Sequence, residues 1–195
     1  MDMMKNHGAA VNKTIKKSLK VLDMPYKTYD SKTDAYKNAK ILLNHCKPDL
    51  LKIEISEKKL VVLKHLVDKK VNVISHIGVT PQSYKNFSKI KILGRTKIEK
   101  NKLLKLAKES ERLGAKAILL ECVTADTAKL ITENISIPTI GIGASKYCDG
   151  QVLVFDDMGR EFQILFAVGE LNKTTSNIIL SIVILHFFIY YIIIK

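Results

Sequence analysis

The sequence predicts an α/β protein built as an incomplete (β/α)8 TIM barrel, with about six of the eight strands and a hydrophobic C-terminal helix. Three observations lead there. Short apolar runs recur along the 195 residues, each followed by a polar or Gly-rich break and then a helical stretch. The runs are too apolar for a half-exposed antiparallel sheet, and the segments between them suit parallel crossovers. Five of the six runs end in Asp23, Glu54, His76, Glu121 or Asp156, and the sixth ends in the glycines of IGIG. Polar residues at the carboxyl ends of successive parallel strands are what a barrel sets around its active-site mouth. An open doubly wound sheet usually gathers its ligand at one switch point.

Helical pattern begins almost at Met1. The first strand is SLKVLD (Ser18 to Asp23), and Met24-Pro25 after it suits a turn. KTDAYKNAKILLNHC reads as a helix leading to the strand LLKIE (Leu50 to Glu54). Lys52 and Glu54 are two apart and so share one face of that strand, where a solvated pair is the plainest reading. EKKLVVLKHLVDKK is the next helix and VNVISH (Val71 to His76) the next strand. KIEKNKLLKLAKESERLGAKA carries Leu103, Leu104, Leu106, Ala107 and Leu113 on a fair amphipathic face, with Gly114 as its stop. The strand AILLE (Ala117 to Glu121) then ends in a carboxylate. An ionised carboxylate is expensive to bury without a partner, so either the strand surfaces there or a site uses the charge of Glu121. TADTAKLITEN is the last clear helix, between that strand and the runs IPTIGIG (Ile137 to Gly143) and QVLVFDD (Gln151 to Asp157).

Composition narrows the function. The formal net charge is +13, but the excess is almost all lysine, with arginine only as Arg95, Arg112 and Arg160. Arginine is the residue suited to bidentate phosphate and base contacts, and no aromatic side chains interleave with the lysines. A solvated basic surface is expected, not a nucleic-acid partner. Cys46, Cys122 and Cys148 are too few and too scattered for a disulfide framework or a metal set. They fit a reduced, cytoplasmic setting, and the amino terminus has no apolar core of signal-peptide length. The barrel domain is expected over residues 1–160, a degenerate linker over 161–177, and a hydrophobic tail, IILSIVILHFFIYYIII, over 178–194. Seventeen residues of helix reach roughly 25 Å, the low limit for crossing a bilayer. The favoured expectation is an accidental extension forming one loose helix; a genuine membrane anchor is the other.

The ordered segments HIGVTPQS, GRT, LLECVTADTAKLITENISIPTIGIGAS and CDGQVLV resemble the ketopantoate hydroxymethyltransferase family. MMKNHGAAV, VLDMPYKTY and LLKIE extend the resemblance upstream, so that it covers roughly Met3 to Asp157. It implies a magnesium-dependent barrel that transfers the one-carbon unit of 5,10-methylenetetrahydrofolate to C3 of 3-methyl-2-oxobutanoate, giving 2-dehydropantoate. It also implies a homo-oligomer. On this resemblance Asp23 is a metal ligand that also lies against the keto acid, Glu54 is the second metal carboxylate, Lys52 holds the substrate, and Glu121 is the proton acceptor. The folate contacts are not assigned.

The sequence also departs from the family. Nothing matches the V-G-D-S-x-G-M-type motif of the family's second strand, which supplies another metal aspartate and a serine to the substrate. Ser145 replaces a glycine, Asp156 replaces a histidine, and the Gly-Gly before GRT is missing. An N-terminally truncated family member is therefore expected, with little or no turnover by the chain alone. A non-catalytic remnant, tethered to a membrane if the tail is genuine, is one alternative. Another magnesium enzyme of phosphoenolpyruvate or pyruvate chemistry is a second.

Overall fold

The structure, a computed structural model, describes residues 1–15, 17–83 and 91–152. Helix α1 (Asp2–Thr14) leads to β1 (Val21–Asp23), and α2 (Lys32–Cys46) to β2 (Leu50–Glu54). A 3-10 turn and α3 (Leu60–Asp68) precede β3 (Val73–Gly78), and α4 (Lys97–Arg112) precedes β4 (Ala117–Glu121). Helix α5 (Ala125–Thr132), β5 (Thr139–Ile142) and β6 (Gly150–Gln151) complete the order. The strands pair in parallel and in sequence order from β1 to β6.

That order decides the architecture. A parallel crossover is almost always right-handed, so strands added in one direction keep every connecting helix on the same face. A doubly wound sheet would reverse direction partway and put helices on both faces. Here the sheet winds one way into a curled half-barrel.

Strand side chains alternate between faces, and the two sets have separate fates. Leu22, Leu51, Ile53, Val73, Ile77, Ile118 and Leu120 point out and pack against the helices, meeting Ala39 and Leu42 of α2, Leu63 and Leu66 of α3, Ala107 of α4 and Ile131 of α5. Val21, Ile74, Ala117, Leu119, Ile140 and Ile142 point in and form a second cluster. On that inner face the residues nearer the strands' carboxyl ends are Asp23, Lys52, Glu54, His76 and Glu121. An apolar floor with a polar rim is the arrangement of a barrel interior.

Local signals set the helix starts. Ser31 accepts the Asp34 N–H and caps α2, while Thr96 and Glu99 form a capping box at α4. Gly114, at φ +97°, turns the chain after α4 as its sequence suggests.

Several strand limits differ from those expected. SLKVLD yields strand only over Val21–Asp23, and Leu19 is half exposed. VNVISH begins its strand at Val73 and continues past His76 to Gly78, so His76 lies within a strand, not at its end. Of QVLVFDD, Gln151 is in β6, and the rest from residue 153, including Asp156, lies outside the described residues. The expected linker and hydrophobic C-terminal helix also lie outside them. Among the described residues, no helix is long and apolar enough to cross a membrane.

Candidate active site

Asp23, Glu54 and Glu121 are the last residues of β1, β2 and β4, and Lys52 stands two before the end of β2. The register fixes their relation. Asp23 lies beside Lys52, Glu54 beside His76, and Glu121 beside Gly78, all across parallel pairs. The four residues expected at the mouth therefore share one face and one end of the sheet.

Lys52 is buried, and its Nζ sits 2.8 Å from Asp23 Oδ2 and 3.3 Å from His76 Nδ1. His76 Nε2 in turn lies 3.1 Å from Glu121 Oε2. A polar chain thus runs from β1 to β4 through two residues that are each almost wholly inaccessible. The end contacts are close without being well aligned: both Asp23 oxygens and His76 Nε2 are buried and lack a directed hydrogen bond among the described residues. Buried polar atoms without well-aligned partners are costly, and their concentration on Asp23 and His76 suits a site that takes a further ligand.

Glu54 is served by a different element. Its Oε1 accepts the Gln82 N–H at 2.8 Å and its Oε2 accepts the Ser83 hydroxyl at 3.1 Å. Both donors come from the turn after β3. Gln82 also reaches the Met24 carbonyl and accepts from the buried Tyr29 hydroxyl, so the turns after β1 and β3 are tied together beside Glu54.

Burial dominates the electrostatics. It pushes the Glu121 carboxyl up to about 7, with the positive charge of Lys52 pulling the other way. It raises Asp23 against the opposing pull of Lys52, and raises Glu54 against the Gln82 N–H. It lowers His76 well below the ordinary imidazole range, and the neighbouring Lys52 charge adds to that. Near neutral pH the imidazole is therefore neutral and Glu121 is poised to gain or lose a proton.

The backbone at Glu121 is special. Cys122 adopts a left-handed conformation at φ +50°, uncommon for a residue with a side chain. Gly78, opposite, has φ +97°, and a Cβ there would collide with the Glu121 carbonyl oxygen. That carbonyl accepts the Val79 N–H at 2.8 Å. Close approach of β3 anchors the end of β4.

The carboxylates suit a hard cation. Magnesium takes oxygen ligands, often one or two carboxylates with the rest from water and substrate. Asp23 presents two buried oxygens without directed hydrogen bonds, and each Glu54 oxygen keeps a second lone pair beyond the bond it accepts. Among the described residues no cluster of three or more His, Cys, Asp and Glu side chains is arranged to hold a metal. The set fits a cation only as two oxygen donors completed by substrate and water.

Sequence reasoning missed the linking role of His76 and the service of Gln82, Ser83 and Tyr29 to Glu54. A signal existed for His76: it lies an even number of residues from Ile74 and so shares the inner face. For Gln82 and Ser83 the signal was a polar turn directly after a strand.

The family model described as ketopantoate hydroxymethyltransferase matches residues 1–166. The 3-methyl-2-oxobutanoate hydroxymethyltransferase of Pelagibacter ubique is 44% identical over 158 residues, 81% of this chain and 60% of that protein. The enzyme of the same name from Clostridium novyi is 42% identical over 182 residues, covering 89% and 66%. That of Pyrococcus furiosus is 43% identical over 159 residues, covering 81% and 56%. The chain spans about 60% of the length of these curated relatives. With an inner face that carries its carboxylates, lysine and histidine at the strands' carboxyl ends, and a match over most of its length, this chain belongs to the ketopantoate hydroxymethyltransferase family.

Proposed function

We propose that the chain carries the proton-abstracting half of hydroxymethyl transfer from 5,10-methylenetetrahydrofolate to 3-methyl-2-oxobutanoate. The observation that carries the proposal is Glu121, a carboxylate held up to about 7 by burial, on the same inner face as the buried Lys52–Asp23 pair. In this reading Lys52 draws the carboxylate of the keto acid into the site, since a buried ammonium charge attracts an incoming anion. Asp23 and Glu54 are the residues that would hold Mg²⁺. When bound, that ion supplies Lewis-acid polarisation of the keto oxygen.

Glu121 then removes the proton from C3 of the keto acid. The C–H electron pair forms the C2–C3 double bond, and the carbonyl pair moves onto the C2 oxygen. C3 of this enolate attacks the methylene carbon of the folate, whose carbon–nitrogen bonds break. Water supplies the hydroxyl oxygen, and tetrahydrofolate leaves carrying the nitrogen protons. The apolar inner cluster beneath the site keeps water away from Glu121 and so preserves its basicity.

The first step can be tested alone, because Asp23, Lys52, Glu54 and Glu121 all lie in the described part of the chain. 3-Methyl-2-oxobutanoate in D₂O with Mg²⁺ and the purified chain is expected to lose its C3 proton signal in a proton NMR time course. The rate should rise with pH and level off above about 7, as Glu121 ionises. Glu121→Gln should lower it by about 10²–10⁴-fold. Exchange no faster than in buffer, or equal in the variant, would overturn the proposal.

A further inference from the structure

We propose that His76 is the positioning residue for Glu121, held by Lys52 as a single tautomer that links the substrate lysine to the base. The inference rests on the reading of Glu121 as base. Its geometry runs across three strands. Lys52 on β2 stands 3.3 Å from His76 Nδ1 on β3, and His76 Nε2 stands 3.1 Å from Glu121 Oε2 on β4. An ammonium has donors only, so the Nδ1 facing it must accept. The one ring proton of the neutral imidazole is then on Nε2, where the Glu121 carboxylate at 3.1 Å and the Val79 carbonyl compete for it. The His76 ring is 1% exposed and Lys52 is buried beside it, so water does not exchange the tautomer freely.

Two consequences follow from that proton. Drawn into line, it holds Glu121 Oε2 and leaves Oε1 for the substrate C–H. It also stabilises the ionised carboxylate, offsetting part of the burial that raises its pKa. His76 is not a proton carrier, because burial and Lys52 hold its own basicity far down. The other charged groups that act here are Lys52 on β2 and Asp23 on β1, and β5 brings Ile142 beside Glu121. Substrate that takes a share of Lys52 thereby changes the partner of Nδ1, so binding and base strength are coupled through one ring.

The test is a ¹³C NMR titration of the Glu121 carboxyl in the full chain, assigned with E121Q, in wild type, H76N and H76Q. The asparagine amide reaches the place of Nδ1 and can still serve Lys52; the glutamine amide reaches the place of Nε2. The wild-type midpoint is expected below the value of about 7 that burial and Lys52 set without His76. H76N should raise it by about one pH unit and cut C3 exchange by about 10- to 100-fold, while H76Q restores most of both. A midpoint unchanged or lowered in H76N, or one that H76Q moves as much as H76N, would overturn the inference. If the midpoints behave as expected and wild type exchanges no C3 proton, the linkage stands and the reading of Glu121 as base fails.

Discussion

Lys52 and Asp23 are each about 1–2% exposed, so neither charge has water to fall back on. A buried pair contributes little over an apolar pair of equal size, but breaking it leaves one charge stranded. Lys52→Met is therefore expected to destabilise the chain by about 3–5 kcal/mol, since Asp23 loses its counter-charge. Asp23→Asn combined with Lys52→Met should cost clearly less than the single change. Urea unfolding of both single variants and the double checks this; a double variant as unstable as the sum of the singles would show that the two side chains are not coupled. The pair lies on the inner face near the carboxyl ends of β1 and β2. Asp23 Oδ2 faces Lys52 while Oδ1 has no partner among the described residues, and that reserve suits a ligand better than it suits stability.

Elements act on the site by fixing how near two strands approach. Strand β3 meets the end of β4 through Gly78, whose φ of +97° and missing Cβ admit the Glu121 carbonyl. Gly78→Ala must strain that backbone and push β4 away, at a cost of about 1–3 kcal/mol. The same displacement should lengthen the 3.1 Å approach of His76 to Glu121. Thermal unfolding and the C3 exchange rate are thus both expected to fall in this variant; a loss of stability with exchange intact would show that the approach of β3 does not place the base. At this scale much was legible in the sequence. The helix KTDAYKNAKILLNHC forms over the same residues, and LLKIE and AILLE end at Glu54 and Glu121 because their apolar runs are bounded by polar breaks. His76 was misread as a strand end because a polar residue interrupts an apolar run, yet Ile77 and Gly78 still pair with β4. Beyond the shared inner face of His76, the link from Lys52 through His76 to Glu121 was not legible. It depends on interstrand register and side-chain reach, which no local pattern records.

For the whole molecule, keeping Glu121 ready to act as a base opposes folding. Its carboxyl moves from an ordinary value of 4.5 in the unfolded chain to about 7 in the folded one. Between those values the folded state binds more protons than the unfolded state, so stability falls as pH rises. The contribution is fully present below about 4.5 and has been lost once pH passes about 7. A shift of that size corresponds to roughly 3 kcal/mol. Raised Asp23 and Glu54 slope the same way, and depressed His76 slopes the opposite way below its ordinary value of 6.5. Comparing wild type with Glu121→Gln cancels those shared terms to first order and isolates one group. In urea unfolding without metal or substrate, the variant is expected to gain on wild type from pH 5 to about pH 7 and then level off, by roughly 2.5 kcal/mol in all. A difference that stays flat across this range would mean that Glu121 keeps ordinary acidity in the fold. It would then lack the basicity near neutral pH that the proposed abstraction requires, and the polar chain across the inner face would serve structure alone.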